Sequence, residues 1–204
     1  MEEEGVITIQ NEPEAKQVWD SCLYTGEEER DFIKNCLGPS LEKHSFGDVK
    51  IIIWDHNRNV IFERAQAVLS DPEAAKYVSE EFENLSRVHH AFPDKHLIFT
   101  EGCIEGGPQA GECHTGERYG RNIIGDLNNH LELWIDWNLV LNEEGGPNHV
   151  GNYCDAPVIV DTKKDEVHYN SSYYYIGHFC KFIKPGARRI STHASNNRIL
   201  GHCL

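Results

Sequence analysis

Val6-Ile-Thr-Ile-Gln-Asn-Glu-Pro13 is the stretch on which the reading of this chain turns. Val6 to Ile9 is apolar and β-branched, which predicts a short buried strand. Gln10-Asn11-Glu12-Pro13 closes it, because proline cannot continue a ladder and the polar residues belong where a strand opens to solvent. Glu12 is thus a carboxylate at a strand's C-terminal end. The same pattern recurs at His96-Leu-Ile-Phe-Thr-Glu101, a third predicted strand that also ends in a carboxylate.

Working outward, strands and helices alternate. Val49 to Trp54 predicts a buried strand closed by Asp55-His56-Asn57, and Leu133 to Asn138 a further one with polar groups at its end. Thr25-Gly-Glu-Glu28 is a capping-box pattern, after which Phe32, Ile33 and Leu37 recur at helical spacing until Gly38-Pro39 ends the helix. Helices are predicted over 59–69, over 72–78 with Asp71 as N-cap and Pro72 at the first helical position, over 81–92 and over 118–131. This alternation predicts an α/β fold with a parallel sheet and a site at the carboxyl ends of its strands. The about forty residues between Trp54 and His96 read as helices without a strand, more than one ordinary crossover needs, so one strand is expected to be missing there.

The chain has 204 residues, of which 39% are hydrophobic, enough for a domain with a substantial core. Its formal net charge of -14, with lysine and arginine scattered, excludes a phosphate-tracking basic stripe, and no nucleic-acid partner is expected. An acidic solvated surface accounts for the charge. No apolar run reaches the length of a transmembrane segment, and the acidic Met1-Glu2-Glu3-Glu4 does not read as a signal peptide, which leaves the location unassigned. Two glycosylation sequons, Asn84-Leu-Ser and Asn170-Ser-Ser, point the other way, toward a secretory route. Seven cysteines, Cys22, Cys36, Cys103, Cys113, Cys154, Cys180 and Cys203, include no C-x-x-C pair. That spacing argues against a zinc cluster and leaves a Cys22 to Cys36 disulfide open.

The chemistry gathers on Glu12 and Glu101. If both strands lie in one parallel sheet, both carboxyls open on the same side. Two carboxyls held about 5–5.5 Å apart are what retaining glycoside hydrolysis requires, one as acid then base and the other as nucleophile. Asn11 is placed to meet a sugar 2-hydroxyl, and Trp54 and Trp137 stand at strand ends where an indole can stack on a sugar or pack in the core. A metal-dependent hydrolase built on His89, His90, Cys113 and His114 is the weaker alternative, since adjacent helical histidines point apart.

Ile9-Gln-Asn-Glu-Pro13, Leu97-Ile-Phe-Thr-Glu-Gly-Cys103 and Trp134-Ile-Asp-Trp-Asn-Leu-Val-Leu-Asn-Glu-Glu-Gly-Gly-Pro-Asn148 resemble glycoside hydrolase family 30, with the glucosylceramide-cleaving acid β-glucosidases nearest. Asp71 to Tyr77 and Tyr175 to Ile183 resemble the same family. The resemblance implies Glu12 as acid/base, Asn11 as the 2-hydroxyl contact, Glu101 as nucleophile, and Asp136, Trp137 and Asn152 in the sugar pocket, with no metal or organic cofactor. It implies a β-glucoside substrate such as glucosylceramide and peripheral contact with a lipid membrane. Full-length members are lysosomal or secreted.

The implied fold is an eight-stranded β/α barrel with an attached β-sandwich. Val6 to Ile9 corresponds to its fourth strand and the strand ending at Glu101 to its seventh. Strands one to three and six are absent from the pattern, strand six being expected between Tyr77 and Phe82, so residues 1–190 are expected to be a partial barrel. Residues 191–204 are then a remnant of the sandwich or a tail. These departures make a shortened chain the expectation, with a catalytically inactive, sugar- or partner-binding remnant as the competing reading.

Overall fold

Three consecutive isoleucines, Ile51 to Ile53, are at most 8% exposed, and they set the middle of a sheet buried on both faces. The computed structural model describes residues 5–57, 60–75, 78–79, 83–147 and 150–190; the proposed tail, 191–204, lies outside them. The described residues fall into two compact units, one made of the chain up to Phe99 with Asn129–Leu133, the other of Thr100–Asn128 with the chain from Trp134 onward.

In the first unit β1 (Val6–Thr8) and β3 (Val78–Ser79) flank β2 (Lys50–Ile52), all parallel, with Val6 opposite Lys50 and Ile51 opposite Val78. The two-residue β3 corrects the expectation that no strand lies between Trp54 and His96. It was illegible because two residues are too few to show a period. β1 is also less buried than its composition predicts, with Val6 56% and Ile7 41% exposed: it is an edge strand with β2 as its neighbour on one side.

Helix α1 (Gly26–Phe32) starts with the predicted capping box. The Glu28 amide donates to Thr25 Oγ1 at 3.1 Å and the Thr25 amide to the Glu28 carboxylate at 2.8 Å. Gly38-Pro39 does not stop this helix. A wider turn over Ile33–Leu37 leads directly into α2 (Gly38–Lys43), with Pro39 in its first turn, where the missing N–H costs least. The helix α3 (Ile61–Leu69) buries Ile61, Ala65, Val68 and Leu69 along one face. The short α4 (Pro72–Ala75) is N-capped as predicted, the Glu73 amide donating to Asp71 Oδ1 at 3.0 Å. It ends before the predicted Val78, which has gone into β3. α5 (Glu83–Ala91) adds Leu85 and Val88 to the core.

The strand β4 (Ile98–Gly102) is half-buried and pairs with β5 (Leu133–Asp136). In the second unit α6 (Cys113–Asn128) starts five residues earlier than predicted and packs on α7 (Ser171–Phe182). Gly116 and Gly120 make this possible: a Cβ on either would come within 2.6 Å of the Tyr175 ring. β6 (Val140–Asn142) lies parallel to β9 (Val158–Asp161), which pairs antiparallel with β10 (Glu166–Tyr169), and β7 (Gly146–Pro147) pairs with β8 (Tyr153–Cys154). Among the described residues the strands form four separate sheets and none closes into a barrel. No helix among them is long and apolar enough to cross a membrane.

Candidate functional site

In the first unit the chain leaves β1 and runs alongside the continuation of β2, with Asn11 bridged to Asp55 in parallel fashion. The Glu12 amide donates to the Asp55 carbonyl at 2.7 Å, and the Glu12 carbonyl accepts from the Ala15 amide at 2.9 Å. Those two bonds hold Glu12 at φ 49°, a left-handed conformation that a side chain with a Cβ disfavours. The Glu12 carboxylate is half-buried and accepts from the Gln17 side-chain amide, while Asn11 is exposed. Gln17 was not foreseen; five residues on, in a loop, it has no periodic relation to Glu12.

Trp54, expected either to pack or to stack on a sugar, is 2% exposed and packs. Its Nε1 donates to the Asn57 carbonyl at 2.8 Å, the His56 ring stacks on it at 5.2 Å, and the Arg64 guanidinium lies over it at 4.8 Å. Arg64 is in turn tied to Glu14 at 2.6 Å.

In the second unit Glu101 sits half-buried in β4, two residues before Cys103. The Trp137 amide donates to the Gly102 carbonyl at 2.7 Å, which fixes the start of the Trp137 turn; its indole is 44% exposed. Asp136, at the end of β5, accepts from the Tyr119 hydroxyl at 2.7 Å through Oδ1, while its Oδ2 is buried without a partner. Burial pushes the Asp136 carboxyl up to about 6, with the nearby Asp155 charge adding to the effect and the Tyr119 hydroxyl opposing it. The same burial, with Asp136 beside it, drives Tyr119 far above its ordinary range, so the phenol donates throughout the accessible pH range.

Asn152 is half-buried and accepts from the Cys154 thiol at 3.8 Å. Burial pushes the Cys103 thiol up to about 12, with the nearby Cys154 adding to the effect. The described cysteines, Cys22 and Cys36 included, are free thiols. The sequon asparagine Asn170 is 2% exposed and its amide donates to Asp155 Oδ1 at 2.8 Å and the Ala156 carbonyl at 2.9 Å, so it holds a turn together and is closed to glycosylation in the folded chain. The Asn84 side chain lies outside the described residues.

Asn11 and Glu12 therefore belong to the first unit, and Glu101, Asp136, Trp137 and Asn152 to the second. Asn11, Glu12, Glu101, Asp136 and Trp137 stand at or just past strand ends, as the sequence pattern predicts, and Asn152 lies in the loop before β8. Tyr119, Cys154 and Asp155 are the neighbours that sequence reasoning missed. Tyr119 reads as one more apolar position on α6, and only its contact with Asp136 reveals its hydroxyl's use.

Among known proteins, the chain is 39% identical to lysosomal acid glucosylceramidase from Mus musculus over 94% of its own length and 41% of that protein. It is 35% identical to putative glucosylceramidase 3 from Caenorhabditis elegans, over 94% of the chain and 40% of that protein. The fold matches the crystal structure of SrfJ from Salmonella typhimurium with a TM-score of 0.87 at 36% identity, covering 94% of this chain and 45% of that one. It matches the endo-β1,6-glucanase BT3312 with a TM-score of 0.80 at 30% identity, over 94% and 46%. The chain thus spans about two fifths of the length of the relatives that it matches by sequence. Residues 5–183 match the model of the glycosyl hydrolase family 30 TIM-barrel domain, and the chain belongs to that family.

Proposed function

We propose that the chain carries the catalytic carboxyls of a retaining β-glucosidase that acts on glucosylceramide or a related β-glucoside, without metal or organic cofactor. The observation that carries this reading is the family match over residues 5–183, which takes in both strand-end carboxyls, Glu12 and Glu101. The names of the relatives, glucosylceramidases from mouse and nematode, support the substrate class.

In this mechanism the Glu101 carboxylate attacks the anomeric carbon as the Glu12 carboxyl gives its proton to the departing glycosidic oxygen. A glucosyl ester on Glu101 results. Glu12, now a carboxylate, takes a proton from water, whose oxygen displaces Glu101, so that β-glucose leaves with its configuration retained and Glu12 protonated again. Asn11 meets the 2-hydroxyl, where hydrogen bonds strengthen as oxocarbenium character develops. The unpartnered Asp136 Oδ2 is an acceptor for a sugar hydroxyl, the exposed Trp137 indole a stacking face, and Asn152 a further polar contact. In barrel terms β1 corresponds to the fourth strand and β4 to the seventh of the family fold. Contact with a lipid surface that presents the substrate follows from the same reading.

The test is hydrolysis of a fluorogenic β-glucoside together with labelling by a mechanism-based glucosidase inhibitor. Glu101→Gln abolishes labelling, and Glu12→Gln lowers turnover by ~100-fold or more. Folded parent chain that is neither labelled nor active sinks the proposal. That outcome favours a non-catalytic remnant, a reading supported by the exposed apolar side chains of edge strand β1.

A further inference from the structure

Two residues with side chains occupy left-handed backbone at adjacent strand ends: Glu12 at φ 49° and Trp54 at φ 55°. Such conformations cost energy and persist where surrounding contacts over-determine them, often at sites that need a fixed geometry. The contacts around Trp54 are unusually complete. Its indole is fixed by Asn57, His56 and Arg64 as described, and its carbonyl accepts from the His56 amide at 2.8 Å.

The remaining group, the Trp54 amide, has turned out of the sheet and donates to Glu29 Oε1 at 3.2 Å. Glu29 is 0% exposed, an unusual condition for a glutamate in the first turns of a helix, and its Oε2 has no partner. Nothing in the proposed chemistry uses it. A buried glutamate holding a strained amide one residue before Asp55 has a direct consequence, because the Asp55 carbonyl is what receives the Glu12 amide at 2.7 Å.

Resting on the reading of Glu12 as the acid/base, we propose that Glu29 is the positioning residue of the Glu12 turn: it pins Trp54, Trp54 sets the direction of the Asp55 carbonyl, and that carbonyl holds Glu12. Its surroundings suit a carboxyl that is retained for a bond rather than for charge. Arg64 from α3 and Asp55 from the end of β2 face it with opposite signs, and Arg64 is itself engaged by Glu14. Burial, with Asp55 adding to it, outweighs the Trp54 amide bond and Arg64 and raises the Glu29 carboxyl to about 7.

The experiment compares the parent chain with chains carrying Glu29→Gln, which keeps an acceptor, and Glu29→Met, which has similar volume and none. Amide hydrogen exchange is followed at Trp54 and Glu12, with α6 and β9 as internal controls. Glu29→Met is expected to speed exchange at both amides by ~tenfold or more and leave the controls unchanged, with Glu29→Gln close to the parent. Equal protection of the Glu12 amide in all three chains overturns the proposal.

Should Glu29→Met fail to fold, Glu29→Asp, one methylene too short to reach Trp54, takes its place under the same criteria. A second arm measures hydrolysis of a fluorogenic β-glucoside: the acceptorless variant loses kcat while KM holds, and Glu29→Gln restores it. A parent chain without hydrolysis sinks the glucosidase reading but leaves the exchange result to decide whether Glu29 positions the turn. Equal losses in kcat for Gln and Met overturn the positioning role.

Discussion

Glu29 in the first unit and Asp136 in the second are both carboxyls that burial holds above their ordinary range, yet they are tied in opposite ways. Glu29 accepts a backbone amide, so its bond fixes the path of the chain. Asp136 accepts a phenol, which fixes only its own side chain and leaves Oδ2 open. Moving a carboxyl out of water is unfavourable in either place. In the first unit that cost accompanies a strained turn beside Glu12, and in the second a vacant acceptor at a strand end. A buried acid held by backbone therefore serves the scaffold, and one held by a side chain remains available to a ligand.

The largest test of this contrast is pH. A carboxyl whose folded pKa is raised contributes most to stability below its unfolded value and loses that contribution as pH rises through the folded one. For Glu29 the window runs from 4.5, its ordinary value, to about 7. A shift of this size corresponds to on the order of 3 kcal/mol of stability lost across the window. Denaturant unfolding at intervals between pH 4 and 8 is expected to show the decline in the parent and a flatter profile in Glu29→Gln, whose amide is neutral throughout. Asp136 adds a second decline between 3.8 and about 6, which survives in Glu29→Gln and separates the two groups.

A smaller effect comes from breaking the Asp136 side of the comparison. Tyr119→Phe keeps the ring, and with it the edge-to-face contact with Trp134 at 5.4 Å, but leaves both Asp136 oxygens without the phenol. Removing one partner of a buried, charge-assisted bond costs about 2 kcal/mol. The Tyr119 hydroxyl lowers the Asp136 pKa, so the variant carries that pKa further up. The destabilisation is accordingly larger at pH 7, where the carboxylate is charged, than at pH 4, where it is protonated. Unfolding of parent and variant at the two pH values measures the difference directly. An equal loss at both would show that the bond does not depend on the carboxylate's charge.

What could be read from the sequence follows the range of the interaction. The α/β alternation, the caps at Thr25 and Asp71, and the placement of Glu12 and Glu101 at strand ends all rest on residues a few positions apart, and all are present. Glu29 was invisible because Glu27-Glu28-Glu29 reads as a solvated acidic first turn, and its partner Trp54 is twenty-five positions away. Tyr119 and Asp136 are likewise joined only by the packing of α6. The Gly38-Pro39 pair misled for a different reason: a proline in the first turn of a new helix has the same local signature as one that ends the preceding helix. Neighbouring chain decides between those readings, and here the wide turn over Ile33–Leu37 absorbs the bend.

The smallest expected effect separates Glu29 from its immediate neighbour. Glu28 and Glu29 stand side by side in α1, but Glu28 faces solvent and returns its carboxylate to the Thr25 amide and hydroxyl at 2.8 and 2.9 Å. Those bonds hold the Glu28 carboxyl below its ordinary range, the reverse of the burial that raises Glu29. Thr25→Ala removes the cap from the helix that carries both and is expected to cost about 1 kcal/mol. The loss should stay flat across the pH window in which Glu29 titrates, because the cap bonds are local to the first turn and do not reach Trp54. A Thr25→Ala curve running parallel to the parent from pH 4.5 to 7 keeps the helix start and the Glu12 brace as separate devices. A curve that converges on the parent over that range would mean that the start of α1 also sets the position of Glu29.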